Sequence, residues 1–403
     1  MTSALEQPFV ARNVRVEPAV AEQDKLPRGG VRWDGVPDAP VWARHLRGGA
    51  PADLPFDLST QTPERLRGRF VWGGYAVAHF GHFVAEQSTR LLRSSTAERD
   101  LKLLLVLPPR ATTGPPGWLL SVLEWYGFAQ ERVHFVSDRP VIVDELHVYP
   151  QEEHLTSRPS SSYLELLTDH SNVHLKRNGG EIPATYVSRA GMPSSGLGGE
   201  LYIERALSQC GVKIVRPETL KLQEQLDVYA RTRLLIFAEG SAVHGRQLLG
   251  RLDQRIAILV RRKGGRFAGR MISPRCSAVE YLDAISCSIH FSFDQRTGLP
   301  KRWEAFPMSV GGDVIDEFDR VGIDLRPYWS AKAFEAQLAL DLDTWATRIC
   351  RGNGGTDVKE RIRLMEGSLY SVGLDRHASR LAEIAISVDA DKADSASPPS
   401  SRP

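Results

Sequence analysis

Through the middle of the chain, short apolar runs alternate with longer stretches whose apolar residues recur every three or four positions. A helical pattern from about Phe80 leads to "KLLLVLPP", a buried-strand run. "GWLLSVLEWYGF" then has helical spacing and closes at Gly127, and "RVHFVS" and "DELHVYP" follow as strand candidates. The second half repeats the rhythm. "ATYVSR" reads as a strand, "GGELYIERALSQCGV" as a helix closed by Gly211, and "VKIVRP" as a strand ended by Pro217. "LQEQLDVYARTR" is helical, "LLIFAEG" a strand, "SAVHGRQLLG" a helix and "RIAILVRR" a strand. Such alternation predicts an α/β fold with parallel, doubly wound sheets. The polar, Gly-rich "DHSNVHLKRNGGEIP" places a boundary near Gly179. The expected organisation is a Pro/Gly/Asp-rich irregular lead-in over 1–60, two units over 61–178 and 179–325, a helical segment over 326–387 and a disordered tail over 388–403.

Composition narrows the function classes. The 403 residues are 42% hydrophobic and 25% charged, an ordinary globular balance. With 51 basic and 49 acidic side chains the net charge is only +2, so no overall field would gather nucleic acid and any anion binding must be local. Cys210, Cys276, Cys287 and Cys350 are scattered without CxxC spacing, which argues against a zinc site or disulfide framework and for reduced thiols in a cytoplasmic protein. The N-terminus carries no apolar core of secretory-signal length, and runs such as "LLLVL" and "IAILV" are too short to span a bilayer. The expectation is a soluble protein, with peripheral membrane contact left open.

Three segments carry candidate chemistry. In "HFGHFVAEQSTRLL", a helix turning about 100° per residue puts His79, His82, Glu86 and Arg90 on one stripe and Phe80, Val84 and Leu91 opposite. The stripe is either a solvated face or a base and its orienter, since a His/Glu pair one turn apart suits proton transfer. The preceding Gly73 and Gly74, and Gly81 within it, would admit a ligand or another chain. Two ligands without an HExxH partner do not make a metal site, so no metal is expected. In "LLIFAEGSAVHG", the turn Glu239-Gly240-Ser241-Ala242 opens onto a helix. It is either a phosphate site built from helix-start N–H groups or a tight turn with an N-cap. Neither a Walker lysine nor GxGxxG is present. Arg189 stands alone at a strand end, while Arg261, Arg262, Lys263 and Arg266 surround a Gly pair and could clamp a diphosphate or form a solvated loop. No GxSxG elbow or Cys/His motif supports a nucleophilic enzyme.

"GHFVAEQSTRLL" resembles the "GHW/F-xx-D/E-xx-RL" segment of glycosyltransferase family 61, and "ATYVSRA" with "VRPETLKLQEQLDVYARTRLLIFAEGSAVHG" resembles its second-domain signature. The resemblance covers roughly residues 68 to 262. It implies a GT-B-like fold, two Rossmann-like doubly wound domains facing across a cleft, with no DxD motif and no obligatory metal. It also implies an inverting transfer in which a nucleotide sugar is the co-substrate and no cofactor is needed. Arg189, Glu239, Gly240, Ser241 and His244 match donor-side positions, and His82 and Glu86 match the acceptor-side motif, either of the two being the base. His79, Arg90 and Arg261 are further candidates for phosphate or acceptor contacts. The sequence departs from common members at Ser88-Thr89, where Leu-Pro is usual, and at "AEGSAVHG". A glycan or lipid-linked sugar acceptor, in surface polysaccharide assembly at the cytoplasmic membrane face, is expected by the same resemblance. The helical segment 326–387 is expected to pack back across the cleft. Two rival classes are a nucleotide-sugar epimerase or hydrolase of similar fold, and a non-catalytic scaffold that offers "RRKGGRF" to acidic partners.

Overall fold

The computed structural model describes residues 7–20, 28–97, 100–109, 114–176, 179–190, 192, 196–290, 305–352, 358–370 and 375–396. The first half contains β1 (Phe9–Glu17), β2 (Gly30–Val31), the hairpin β3 (Leu46–Arg47) and β4 (Ala50–Pro51), β5 (Glu64–Tyr75), β6 (Lys102–Val106), β7 (Val133–Val136) and β8 (Val141–Val148). Its helices are α1 (Phe80–Ala85), α2 (Leu91–Ala97), α3 (Gly117–Trp125) and α4 (Ser161–His174). The second half holds β9 (Ile182–Val187), α5 (Glu200–Gln209), β10 (Lys213–Val215), α6 (Leu222–Arg231), β11 (Thr232–Ala238), β12 (Arg255–Leu259), α7 (Gly269–Ile272) and β13 (Ala278–Leu282). The chain ends in the pair β14 (Ile285–Ile289) and β15 (Phe306–Ser309) and the helices α8 (Gly311–Arg320), α9 (Ala331–Gly352), α10 (Val358–Tyr370) and α11 (Ala378–Ala396).

The first sheet is six-stranded in the order β2-β1-β8-β5-β6-β7, with β8, β5, β6 and β7 parallel and β1 antiparallel to β8. The second is five-stranded and all parallel, β10-β9-β11-β12-β13. The apolar runs are explained by burial on both faces. In β6, Leu103 and Leu105 enter one apolar cluster while Leu104 and Val106 enter another. In β11 and β12, Leu235, Phe237, Ile256 and Ile258 face one cluster, and Leu234, Ile236, Ala257 and Leu259 face a third. A single cluster joins the two sheets: Val71, Leu103 and Leu105 share it with Leu235, Phe237, Ile256 and Ile258, through side chains of α1, α3, α4 and α6.

Several expectations change. Residues 1–60 are not an irregular lead-in throughout, because β1 pairs along β8 from Phe9–Val148 to Val16–Val141. The other face of the first sheet is covered by Trp33, Ala43 and neighbouring residues rather than by α-helices, so this sheet is mixed and not doubly wound. Asn13 (φ +50°) lies between the inward-facing Ala11 and Val14, so the apolar alternation of β1 slips by one residue there, and Gly68 (φ +102°) sits in a register shift between β5 and β8. Among the described residues the C-terminal helices pack on the second unit and not across the first. Phe334, Leu338, Trp345, Met365 and Leu381 pack with Tyr186, Ile203 and Leu207 against the second sheet. α11 also continues to Ala396, through most of the stretch expected to be disordered; 397–403 lie outside the described residues.

In each sheet the strand order reverses once, and ligands of open α/β sheets bind outside the strand carboxyl ends at that point. In the first sheet the reversal lies between β5 and β8, which lead into α1 and into Gln151–Glu153. In the second it lies between β9 and β11, which lead to Arg189 and to Glu239-Gly240-Ser241.

Candidate active site

The predicted stripe is folded differently from a continuous helix. His79 (φ −130°) is the N-cap of α1, with its Nδ1 accepting the His82 N–H at 3.3 Å. The helix lasts six residues and ends at Glu86 (φ −129°, ψ −71°), after which Gln87–Arg90 is a 3-10 turn. Ser88 donates to the Val84 carbonyl and Thr89 to the Glu86 carbonyl, so the two residues that depart from the family pattern satisfy the broken helix end. The break sends the four polar side chains apart. His82 is half exposed, whereas Glu86 and Arg90 are buried. Arg90 donates to the carbonyls of Ala43 and Arg44 and to Gln151 Oε1, which makes it an internal anchor away from any ligand contact.

Glu86 sits behind His82, its Oε2 at 3.7 Å from His82 Nδ1. Two residues of the N-terminal segment complete its surroundings. Arg47 Nε donates to Oε1 at 3.3 Å, and His45 Nε2 lies 3.8 Å from Oε2. Burial alone would raise the Glu86 pKa, but the neighbouring His82, His45 and Arg47 hold the carboxyl below its ordinary value. Burial pushes His45 down to about 4, so it faces Glu86 as a neutral imidazole, fixed by Gln87 on its other nitrogen. Burial also lowers His79, with the charges of His82 and Arg189 acting in the same direction.

The opposite wall is cationic. Arg189 follows β9, its backbone N–H donating to the buried Glu200 Oε1 at 2.7 Å. A side chain at Gly240 would strike the Arg189 guanidinium at 2.3 Å, so glycine is required there for the arginine to cross the turn. The eight-residue 3-10 helix Ser241–Leu248 then begins at Gly240 with no side-chain cap. Glu239 is fully buried and points away from the opening. It accepts the Arg261 N–H at 2.8 Å and the Arg262 Nε at 2.6 Å, tying the loop after β12 to the turn after β11. Burial lowers Arg261 to about 10, still charged at neutral pH.

These walls enclose a cavity of about 690 Å³ lined by His79, His82, Arg189, Ser241, His244 and Arg261 among others. Gly81 is where they touch, since a Cβ there would lie 2.8 Å from His244 and 3.2 Å from Ser241. The glycine-rich approach therefore serves the protein's own packing: Gly73 is filled by Leu103 and Leu105, Gly74 by Gln87 and Gly81 by His244. Another cavity of about 710 Å³ lies at the amino ends of β9, β11 and β12, the end where such sheets do not place ligands. Among the described residues no group of three His, Cys, Asp or Glu could hold a metal ion, and no helix is long and apolar enough to cross a membrane.

Residues 80–246 match the Glycosyltransferase 61 family model. No curated protein matches the chain. The match spans less than half of the 403 residues, but it takes in both walls, from the first residue of α1 to the 3-10 helix after β11. It supports glycosyltransferase activity, and with it a sugar donor and an acceptor. The glycosyltransferase 61 segment brings His82, Glu86, Arg189, Glu239, Gly240, Ser241 and His244 to one place, whereas His79 and Arg261 reach the cavity from outside it. Sequence reasoning missed His45 and Arg47, because nothing in a Pro/Gly-rich lead-in signals a contact with Glu86. It left Arg262 and Lys263 between a diphosphate clamp and a solvated loop, and both line the cavity. The carboxyl-end position of "RRK" after "RIAILV" was the available signal.

Proposed function

We propose that this protein is an inverting glycosyltransferase with a GT-B-like pair of Rossmann-like units. It would move a sugar from a nucleotide-activated donor to a hydroxyl of a glycan or glycolipid, in surface polysaccharide assembly at the cytoplasmic membrane face. The observation that carries this reading is the single cavity with imidazoles on one wall and Arg189, Arg261 and an uncapped helix start on the other. His82 is the base and Glu86 its orienter: His82 lines the cavity, while Glu86 is buried behind it with a lowered pKa, which makes it a poor proton acceptor. The acceptor hydroxyl gives its proton to His82 Nε2 as its oxygen bonds the anomeric carbon. The bond from that carbon to the phosphate oxygen breaks, and the electron pair leaves with the diphosphate. Arg189, Arg261 and the N–H groups beyond Gly240 face the charge that develops there. Incubating the protein with UDP, GDP and dTDP sugars and an acceptor panel should release nucleoside diphosphate only when acceptor is present, with NMR of the product giving the inverted anomer. Release of free sugar at the same rate without acceptor would replace this reading with a hydrolase.

A further inference from the structure

His244 lies on the cavity wall between Gly81 and Phe267, whose ring is edge-on at 5.2 Å. Its Nδ1 contacts Gln247 Oε1, Gln247 Nε2 donates to Glu153 Oε2 at 2.8 Å, and the other Glu153 oxygen pairs with Arg275. Glu153 and Arg275 are fully buried. Burial raises the Glu153 pKa, but a guanidinium does not shed its proton, so the pair stays carboxylate and cation. That ion pair fixes every hydrogen along the relay. A carboxylate only accepts, so Gln247 must turn its NH2 to Glu153 and its carbonyl to His244. A carbonyl only accepts, so His244 must carry its proton on Nδ1. The remaining nitrogen, Nε2, has no hydrogen-bond partner among the described residues. Burial holds the His244 pKa near 4, so the ring stays neutral.

We infer that His244 Nε2 is a fixed hydrogen-bond acceptor that takes an O–H or N–H of a sugar ring in the cavity, a specificity-determining contact. It rests on the transferase reading above. A lone pair cannot bind a phosphate oxygen, which also only accepts, so His244 sits on the donor wall without contacting the diphosphate. Beside it the half-buried Phe267 offers an apolar surface, and a sugar presents both an apolar face and hydroxyls.

The sugar that His244 touches belongs either to the donor or to the acceptor, and the His244→Phe variant separates the two. Calorimetry should show nucleoside diphosphate affinity unchanged. If the donor sugar is the partner, nucleotide-sugar affinity falls about three- to tenfold; if the acceptor is, its KM rises by that factor with donor affinity intact. His244→Gln, whose amide oxygen can accept, should recover part of either loss, and it serves in place of the Phe variant should that one melt early. Equal losses for nucleoside diphosphate and nucleotide sugar, or no change in donor affinity and acceptor KM, would overturn the inference. Independently, nitrogen-15 NMR of the histidines, with His244→Phe assigning the signal, should show Nε2 unprotonated from about pH 6 to 8. A protonated Nε2 sinks the inference even if transfer is confirmed. An unprotonated one in a protein that binds no nucleotide sugar sinks the transferase reading and leaves the relay standing.

Discussion

The two walls of the cavity hold their polar groups by different means. The cationic wall stands at the carboxyl ends of parallel strands, where Arg189 and Arg261 follow β9 and β12 and main-chain N–H groups bond the buried Glu200 and Glu239. The imidazole wall stands on a six-residue helix whose end is broken at Glu86, and side chains from 39 and 41 residues upstream hold that carboxylate in place. Regular sheet geometry therefore fixes the cationic groups proposed to hold the diphosphate. Long-range side-chain contacts hold the carboxylate behind His82, so under the proposed mechanism proton transfer is the more fragile of the two functions.

The largest expected effect strikes the imidazole wall. His82→Ala should lower kcat about 10²- to 10⁴-fold, the range for losing a general base, with nucleotide-sugar affinity kept. Glu86→Gln should cost less, because it leaves the base and removes only its orienter. Rates of transfer for the two variants, measured at saturating donor, decide the assignment; a larger loss in Glu86→Gln would reverse the roles.

Each wall also buries a neutral imidazole, His45 in one and His244 in the other, both pushed down to about 4 by burial. In the unfolded chain a histidine titrates near 6.5. Between those values the unfolded state binds more protons, so stability falls as pH drops from about 6.5 toward 4 and is fully present above that window. Each residue contributes on the order of 3 kcal/mol to that loss. Urea unfolding across the window should show the slope, and His45→Phe and His244→Phe should each flatten it. An unaltered slope in the double variant would mean that these rings are charged in the folded protein.

On the cationic wall, Arg189→Ala should weaken nucleoside diphosphate binding about 10- to 100-fold by calorimetry, while kcat at saturating donor changes less. Raising salt should narrow the gap between wild type and variant, since the lost contact is ionic. Equal affinity would remove Arg189 from the donor site and leave the comparison between the walls without its cationic half.

The cationic wall was also the more legible in sequence. "ATYVSR", "LLIFAEG" and "RIAILV" are apolar because both faces of β9, β11 and β12 are buried, and the turns that follow them are where a parallel sheet must place its ligand. The position of α1 was readable too, but its length was not: helical spacing continues past Glu86, and only Ser88 and Thr89 bonding back to carbonyls betray the break. β5 was hidden by its glycines, and β1 by the slip of its alternation at Asn13. The pairing of Glu86 with His45 and Arg47 joins residues too far apart for any local pattern to reveal.

Those distant contacts supply the smallest effect and the finest test of the imidazole wall. Arg47 Nε lies 3.3 Å from Glu86 Oε1, but its side chain is 38% exposed, so solvent screens much of the interaction. Arg47→Gln should therefore lower kcat only about three- to tenfold, with Arg47→Lys recovering part of it. The cation is one of the groups that hold the Glu86 carboxyl below its ordinary value against the opposing effect of burial. Without it that pKa rises, and Glu86 takes up its proton at a higher pH. The acid limb of the kcat profile should move upward in pH, a shift that merely loosened packing would not produce. A uniform drop in kcat at every pH would show that Arg47 braces the fold and does not tune the carboxylate.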